Sequence, residues 1–169
     1  SHGLQDVAEE LEASLIVLGS PERPQPPLLT ATTGDRVIAG APCPVSIPPN
    51  GWRDRPAREL RRIGVAFVPT PDGREALRTA AVFARRVNAQ LHVVTVVAEE
   101  AEVMSYRIGQ DAEQRYVSAA QEEFQRSIED AIAQLAPDLT ASGEVLVGGD
   151  VVKTFAGLRD TSFDALFMG

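Results

Sequence analysis

Ser14-Leu15-Ile16-Val17-Leu18-Gly19 and Asp164-Ala165-Leu166-Phe167-Met168-Gly169 write one pattern twice: a short apolar run that ends on glycine. Each follows a helix-like stretch. A buried strand running into a glycine-led loop is where open α/β sheets place their ligands. In the first copy the sequence goes on past the glycine, and in the second the glycine is the last residue. The chain therefore reads as the closing part of one α/β unit, residues 1–50, joined by a linker, 51–61, to a second unit, 62–169. That second unit would lack its final loop and strand, so truncation at both ends is expected.

Working outward, Leu4, Val7, Ala8 and Leu11 recur at helical spacing and predict a helix over 3–13. Ser14 to Leu18 is apolar on both faces, as strands in parallel sheets are. The prolines within 20–31 allow no regular element there. Thr33 to Ala39 fits a short helix, and Pro44 to Ile47 a short strand whose prolines assign it to a sheet edge. In the second unit strands are predicted at Ile63–Val68, Leu91–Val97, Glu144–Val147 and Ala165–Met168. Helices are predicted between them. One follows the Pro69-Thr70-Pro71-Asp72 turn, with Leu77, Ala80, Ala81, Ala84 and Val87 on one face, and ends near Asn88. A second covers 111–135 with Tyr116, Ala120, Phe124, Ile128 and Ile132 four apart, and a short one covers 151–159 behind Gly148-Gly149-Asp150. Strands alternating with helices predict right-handed crossovers and a parallel sheet. A sheet that stops at its fourth strand leaves an open edge. Residues 44–47 are expected to fill it, within the molecule or from a neighbour.

Composition narrows the function classes. Among 169 residues, 44% are hydrophobic, which is enough for a core, and 24% are charged, which excludes global disorder. A formal net charge of −8 disfavours nucleic acid, whose phosphates would be repelled. The single cysteine, Cys43, rules out an internal disulfide. No apolar run approaches the roughly 20 residues of a membrane helix. The start, Ser1-His2-Gly3-Leu4, has no signal-peptide character. A cytoplasmic setting without membrane or nucleic-acid partners is expected.

With those residues in view, the chain resembles the universal stress protein family over nearly its whole length. Leu15-Ile16-Val17-Leu18-Gly19-Ser20, Gly34-Asp35-Arg36-Val37-Ile38 and Ala41-Pro42-Cys43-Pro44-Val45 are similar to the family's closing signature. Residues 63–168, with Arg74-Glu75-Ala76-Leu77 and Gly148-Gly149-Asp150, are similar to its opening part. The resemblance implies an α/β, doubly wound, Rossmann-like parallel sheet of order 3-2-1-4-5. One unit would be nearly complete and the other represented by its last third. It also implies a homodimer, or a tandem pseudo-dimer, associating through edge strands. Many members bind ATP, so the resemblance carries ligand-lining positions onto Gly19, Ser20, Thr32, Thr33, Val68, Val96, Met168 and Gly169.

Several of these positions are altered. The family's loop needs a second glycine, because a bare backbone lets amides close on phosphate. Glu22 stands there, adding bulk and negative charge. Ala31 replaces a later glycine, and Pro24, Pro26 and Pro27 remove donors. Val68 stands where the family has an adenosine-side aspartate. These changes predict a non-catalytic stress-response or regulatory protein with a degenerate nucleotide pocket, acting by association and needing no cofactor. The alternative is an ATP-binding sensor or slow ATPase. A third reading is a nucleotidyl-transfer enzyme on a related sheet, such as an ATP pyrophosphatase or an electron-transfer flavoprotein subunit; the pyrophosphatase type would need a Ser-Gly-Gly-rich loop where residues 68–73 read Val-Pro-Thr-Pro-Asp-Gly.

The remaining candidates have plainer readings. Asp72 and Asp150 are placed as helix caps. His92 is a strand residue, Cys43 a packed one, and no His/Cys/carboxylate set has metal-ligand spacing. Arg53, Arg55, Arg58, Arg61 and Arg62 form a solvated basic linker, or a docking site for an acidic partner.

Overall fold

A computed structural model describes residues 2–19, 33–49, 51–54, 59–98, 110–150, 153–155, 157 and 163–169. The chain divides into two units, Ser1–Arg58 and Glu59–Gly169.

The first unit contains α1 (His2–Glu10), β1 (Ile16–Val17), α2 (Thr33–Gly40) and β2 (Val45–Ser46). Helix α1 stops where Glu12 turns left-handed, at φ 49°. The two strands pair in parallel, with Ile16 opposite Val45 and Val17 opposite Ser46. Ala8, Ile16 and Val37 are buried together, and Leu18, Cys43 and Val45 pack against them. Residues 44–47 thus find their partner in β1 of their own unit and do not fill the second sheet's open place. Their register matches Ile16 and Val17, which the prolines on either side of the strand leave free to pair.

The second unit holds a four-stranded parallel sheet: β3 (Arg62–Ala66), β4 (Gln90–Ala98), β5 (Ala141–Gly148) and β6 (Ala165–Met168). The strand order is β5-β4-β3-β6. Counted within the unit this is 3-2-1-4, a parallel α/β sheet that follows the expected order through its fourth strand, while β1 and β2 of the first unit form a parallel sheet of their own. Between the strands run α3 (Pro71–Val87) and α4 (Gln110–Ala133). Ile63 and Val65 alternate along one face of β3, with Phe67 just beyond its end, and Leu91 and Val93 along β4. They bury against Leu77, Ala80, Ala81 and Ala84 of α3 and Ile128 and Ala131 of α4. Each fully buried aliphatic side chain contributes roughly 1.5–3 kcal/mol. The Phe83 and Phe167 rings, 5.5 Å apart, close α3 onto β6.

Where strand limits differ from those predicted, backbone hydrogen bonds give the reason. Strand β3 ends at Ala66, short of Val68, because the Thr70 amide donates to the Val68 carbonyl at 2.7 Å and turns the chain. Strand β5 starts before Glu144, at Ala141. Its ladder to β4 runs from Leu91–Ala141 to Ala98–Gly148 irrespective of the polar side chains Ser142 and Glu144. The expected linker is shorter at its far end: the amides of Arg61 and Arg62 donate to Asp164 Oδ2 at 2.8 and 2.9 Å, which ties residue 61 into the second unit. Trp52–Asp54 make a single 3-10 turn. Of the helix expected over 151–159, residues 153–155 and 157 are helical and the others lie outside the described residues.

Candidate functional site

Strand β3 lies between β4 and β6, so the chain reverses its direction of travel across the sheet at the β3–β6 boundary. In open α/β sheets the crevice beyond the carboxyl ends of such a pair is the ligand position. Four of the eight residues proposed from the sequence are gathered on this side of the second unit. Ala66 is paired with Met168, Val68 follows two residues beyond Ala66, and Gly169 follows Met168. Val96 lies on β4, two residues beyond Val94, which pairs with Ala66. Val68 is 50% exposed and Met168 69% exposed. Two large apolar side chains are therefore left open at the point where a ligand would sit.

The floor of this place is the first turn of α3. Thr70 is its N-cap, with extended backbone, and the Gly73 amide donates to Thr70 Oγ1 at 3.1 Å. Asp72, expected to be the cap, is instead inside the first turn, because Pro71 with its fixed φ takes the first helical position. Two glycines allow the turn to wedge between the strand ends. A Cβ on Gly73 would overlap the Val68 carbonyl, and one on Gly169 would overlap the Asp72 carbonyl and crowd Ala76. A helix start ordinarily offers free amides to an anion. Here Pro69 and Pro71 have no N–H, Thr70 donates to Val68 O, Gly73 to Thr70 Oγ1, and Arg74 to Thr70 O. Of the turn's amides only that of Asp72 stays open.

Behind the crevice the sheet is similarly self-contained. Thr95, buried between β4 and its neighbours, donates through Oγ1 to the Phe67 carbonyl at 2.7 Å. Among the described residues no buried side-chain nitrogen or oxygen lacks a partner, and no cluster of His, Cys, Asp and Glu could hold a metal ion. At the end of β5, Asp150 caps the next helical residues: its Oδ1 accepts from the Lys153 amide at 3.0 Å. Thr154 Oγ1 donates to the Asp150 carbonyl. That arrangement matches the capping role assigned from the sequence.

The other proposed positions fall differently. Gly19 is exposed just beyond β1 in the first unit, and Thr33 opens α2. Ser20, Thr32, Glu22, Ala31 and the prolines at 24, 26 and 27 lie outside the described residues, as do Arg55 and Arg58. The sequence did not single out Thr70 as the cap, although a Thr two residues before Asp72 and one before a proline is a recognisable start signal. It also did not foresee the contact between His92 Nδ1 and Ser142 Oγ, 2.7 Å apart. That pair belongs to cross-strand neighbours of β4 and β5. Burial, and secondarily the Arg62 charge, hold His92 below the usual histidine range, while Glu144 opposes the shift. A depression of about 610 Å³ lies at the opposite, amino-terminal end of the strands, between the end of α3 and residues 138–140. The Arg85–Asp138 ion pair lines it, and it has no connection with the crevice.

Comparison with known proteins agrees with this architecture. The profile of the "Universal stress protein family" matches residues 1–48 and 59–161. Universal stress proteins of Mycobacterium tuberculosis strain H37Rv and of Mycobacterium bovis are each 32% identical over 120 residues, covering 70% of this chain and 41% of the relative. The chain thus spans less than half the length of these curated relatives. A solved universal stress protein from Archaeoglobus fulgidus shares the fold, with a TM-score of 0.54 at 17% identity, over 97% of this chain and 52% of that one. Among the described residues no helix is long and apolar enough to cross a membrane.

Proposed function

The chain belongs to the universal stress protein family, and from that premise we propose that it is a non-catalytic stress-response or regulatory protein of the cytoplasm, acting by association, whose nucleotide crevice is degenerate. The observation that carries this reading is the donor-poor turn at the end of β3. A triphosphate needs several backbone or side-chain donors, and of the backbone amides of residues 69–74 only that of Asp72 is open, beside its own carboxylate. A ribose needs an acceptor, and Val68 presents methyl groups. Asp72 in the first turn adds negative charge where phosphate would approach.

Calorimetric titration of the purified chain with ATP and magnesium tests it, together with chromatography of acid extracts for retained nucleotide. No saturable heat and no retained nucleotide are expected. The Val68→Asp variant restores an acceptor alone. It should gain affinity for adenosine without a further gain for ATP, because the turn still offers a single open amide. Stoichiometric ATP in the unmodified protein would overturn the proposal and establish a nucleotide-binding sensor in its place.

A further inference from the structure

We propose that Ser142 is an acyl-acceptor site: its hydroxyl, with His92 as base, takes the acyl group of an activated ester or thioester. The pair stands on the sheet face turned away from α3 and α4. One row of positions crosses β3, β4 and β5 there, with Gly64 opposite His92 and His92 opposite Ser142. Each member of the row sets the next. Gly64 leaves an empty place that Phe163 fills, since a Cβ at residue 64 would come within 2.8 Å of the Phe163 ring. That ring lies 6.0 Å from the imidazole of His92, tilted by 44°. On its other flank His92 meets β5, where Nδ1 is 2.7 Å from Ser142 Oγ.

That separation is within the reach at which a base takes the proton of a hydroxyl nucleophile. In the tautomer protonated at Nε2, Nδ1 accepts the Ser142 hydroxyl. Burial and the Arg62 charge oppose protonation of the ring, so the base stands in its working, neutral form at neutral pH. Two charged side chains act on it from the flanking strands. Arg62, two residues before Gly64, disfavours the imidazolium, and Glu144, two residues beyond Ser142, favours it. Glu144 therefore steadies the charge that appears as the proton moves. Asp164, next to Phe163, is held by the amides of Arg61 and Arg62. Ser142 is exposed, so an acyl carbon can approach Oγ from solvent. In the step, Oγ bonds to the acyl carbon and its proton passes to Nδ1. The bond from the acyl carbon to the leaving aryloxide or thiolate breaks, and the imidazolium returns its proton to solvent. The product is one seryl ester per chain, a modification without turnover. This proposal is independent of whether the crevice binds nucleotide.

The test incubates the full chain with p-nitrophenyl acetate and, separately, with phenyl thioacetate, and locates the acetyl group by peptide mass spectrometry. Acetyl on Ser142 is expected from both donors, with one equivalent of p-nitrophenolate released from the first. The rate at Ser142 in the unmodified protein should fall as pH drops below about 6.5 and His92 takes up a proton. Ser142→Ala should remove the label from that peptide. His92→Gln keeps a hydrogen-bonding partner for Ser142 but cannot carry the proton, and should slow the labelling about a hundredfold. Matched circular dichroism and melting curves establish that both variants are folded. Acetyl confined to Cys43, Lys153 or the amino terminus would overturn the proposal. So would a rate at Ser142 that is indifferent to pH, or one that is unchanged in folded His92→Gln.

Discussion

His92 is the residue whose surroundings carry a measurable consequence. Its pKa is lowered in the folded state by burial first and by Arg62 second. The unfolded chain therefore takes up a proton at a higher pH than the folded one, near the ordinary value of about 6.5. Stability contributed by neutral His92 is complete above that pH and is lost as pH falls through it towards the lowered folded value. Denaturant unfolding from pH 8 to pH 5 should show a decline below about 6.5 that is shallower in His92→Gln. Equal slopes in the two proteins would refute the assignment. At this scale the sequence was only partly legible. Periodicity identified His92 as a strand residue, but its bond to Ser142 depends on which residue of β5 stands opposite, and that is fixed by register. Val68 was placed in a strand for its apolar character. Its carbonyl, which no side-chain pattern reports, decides that the strand has already ended.

Among the elements, α3 was the most legible, because each of its determinants is local. Leu77, Ala80, Ala81 and Ala84 are buried as their spacing predicts, Val87 in the last turn is exposed instead, and Asn88 closes the helix in a left-handed conformation at φ 54°. The alanines let the helix lie close to β3. Helix α4 follows the same rule from its other partner: Ile128 is fully buried, and the room for it is provided by Gly143 on β5. A Cβ there would overlap Ile128 Cγ2 and crowd Ile132 Cδ1. Glycine in a strand is ordinarily a weakness, since it leaves the backbone loose and packs nothing. Here the steric demand of the helix outweighs that preference. Gly143→Ala should destabilise the second unit by about 1–3 kcal/mol, read as a lowered denaturation midpoint at unchanged slope. An unchanged or raised midpoint would show that α4 can shift away. Nothing in the order of residues signals this contact, because a glycine's empty side identifies a partner only after the helix is docked.

Across the whole molecule the two units differ in the means of holding themselves together. Among the described residues, the core cluster of the first unit has three buried apolar residues and that of the second twelve. Hydrogen exchange should accordingly rank them: amides of β3 and β4 slowest, those of α1 and β2 fast. Comparable protection in both units would contradict this ordering. The parallel α/β order and the duplicated strand could be read directly from apolar patterning, and the family resemblance from short motifs such as Ala41-Pro42-Cys43-Pro44-Val45. The partner of residues 44–47 could not, because pairing partners are chosen by edges and not by composition. One feature of the second unit also bears on how it is made. The Asp164 carboxylate holds the amides of Arg61 and Arg62, and β6 lies directly beside β3. The unit's earliest strand therefore waits for its latest neighbour. While a ribosome is still delivering the residues between them, one flank of β3 has no native mate, so its ripening must be slow and long-range. A nascent chain stalled before Phe163 would be the form most in need of a chaperone.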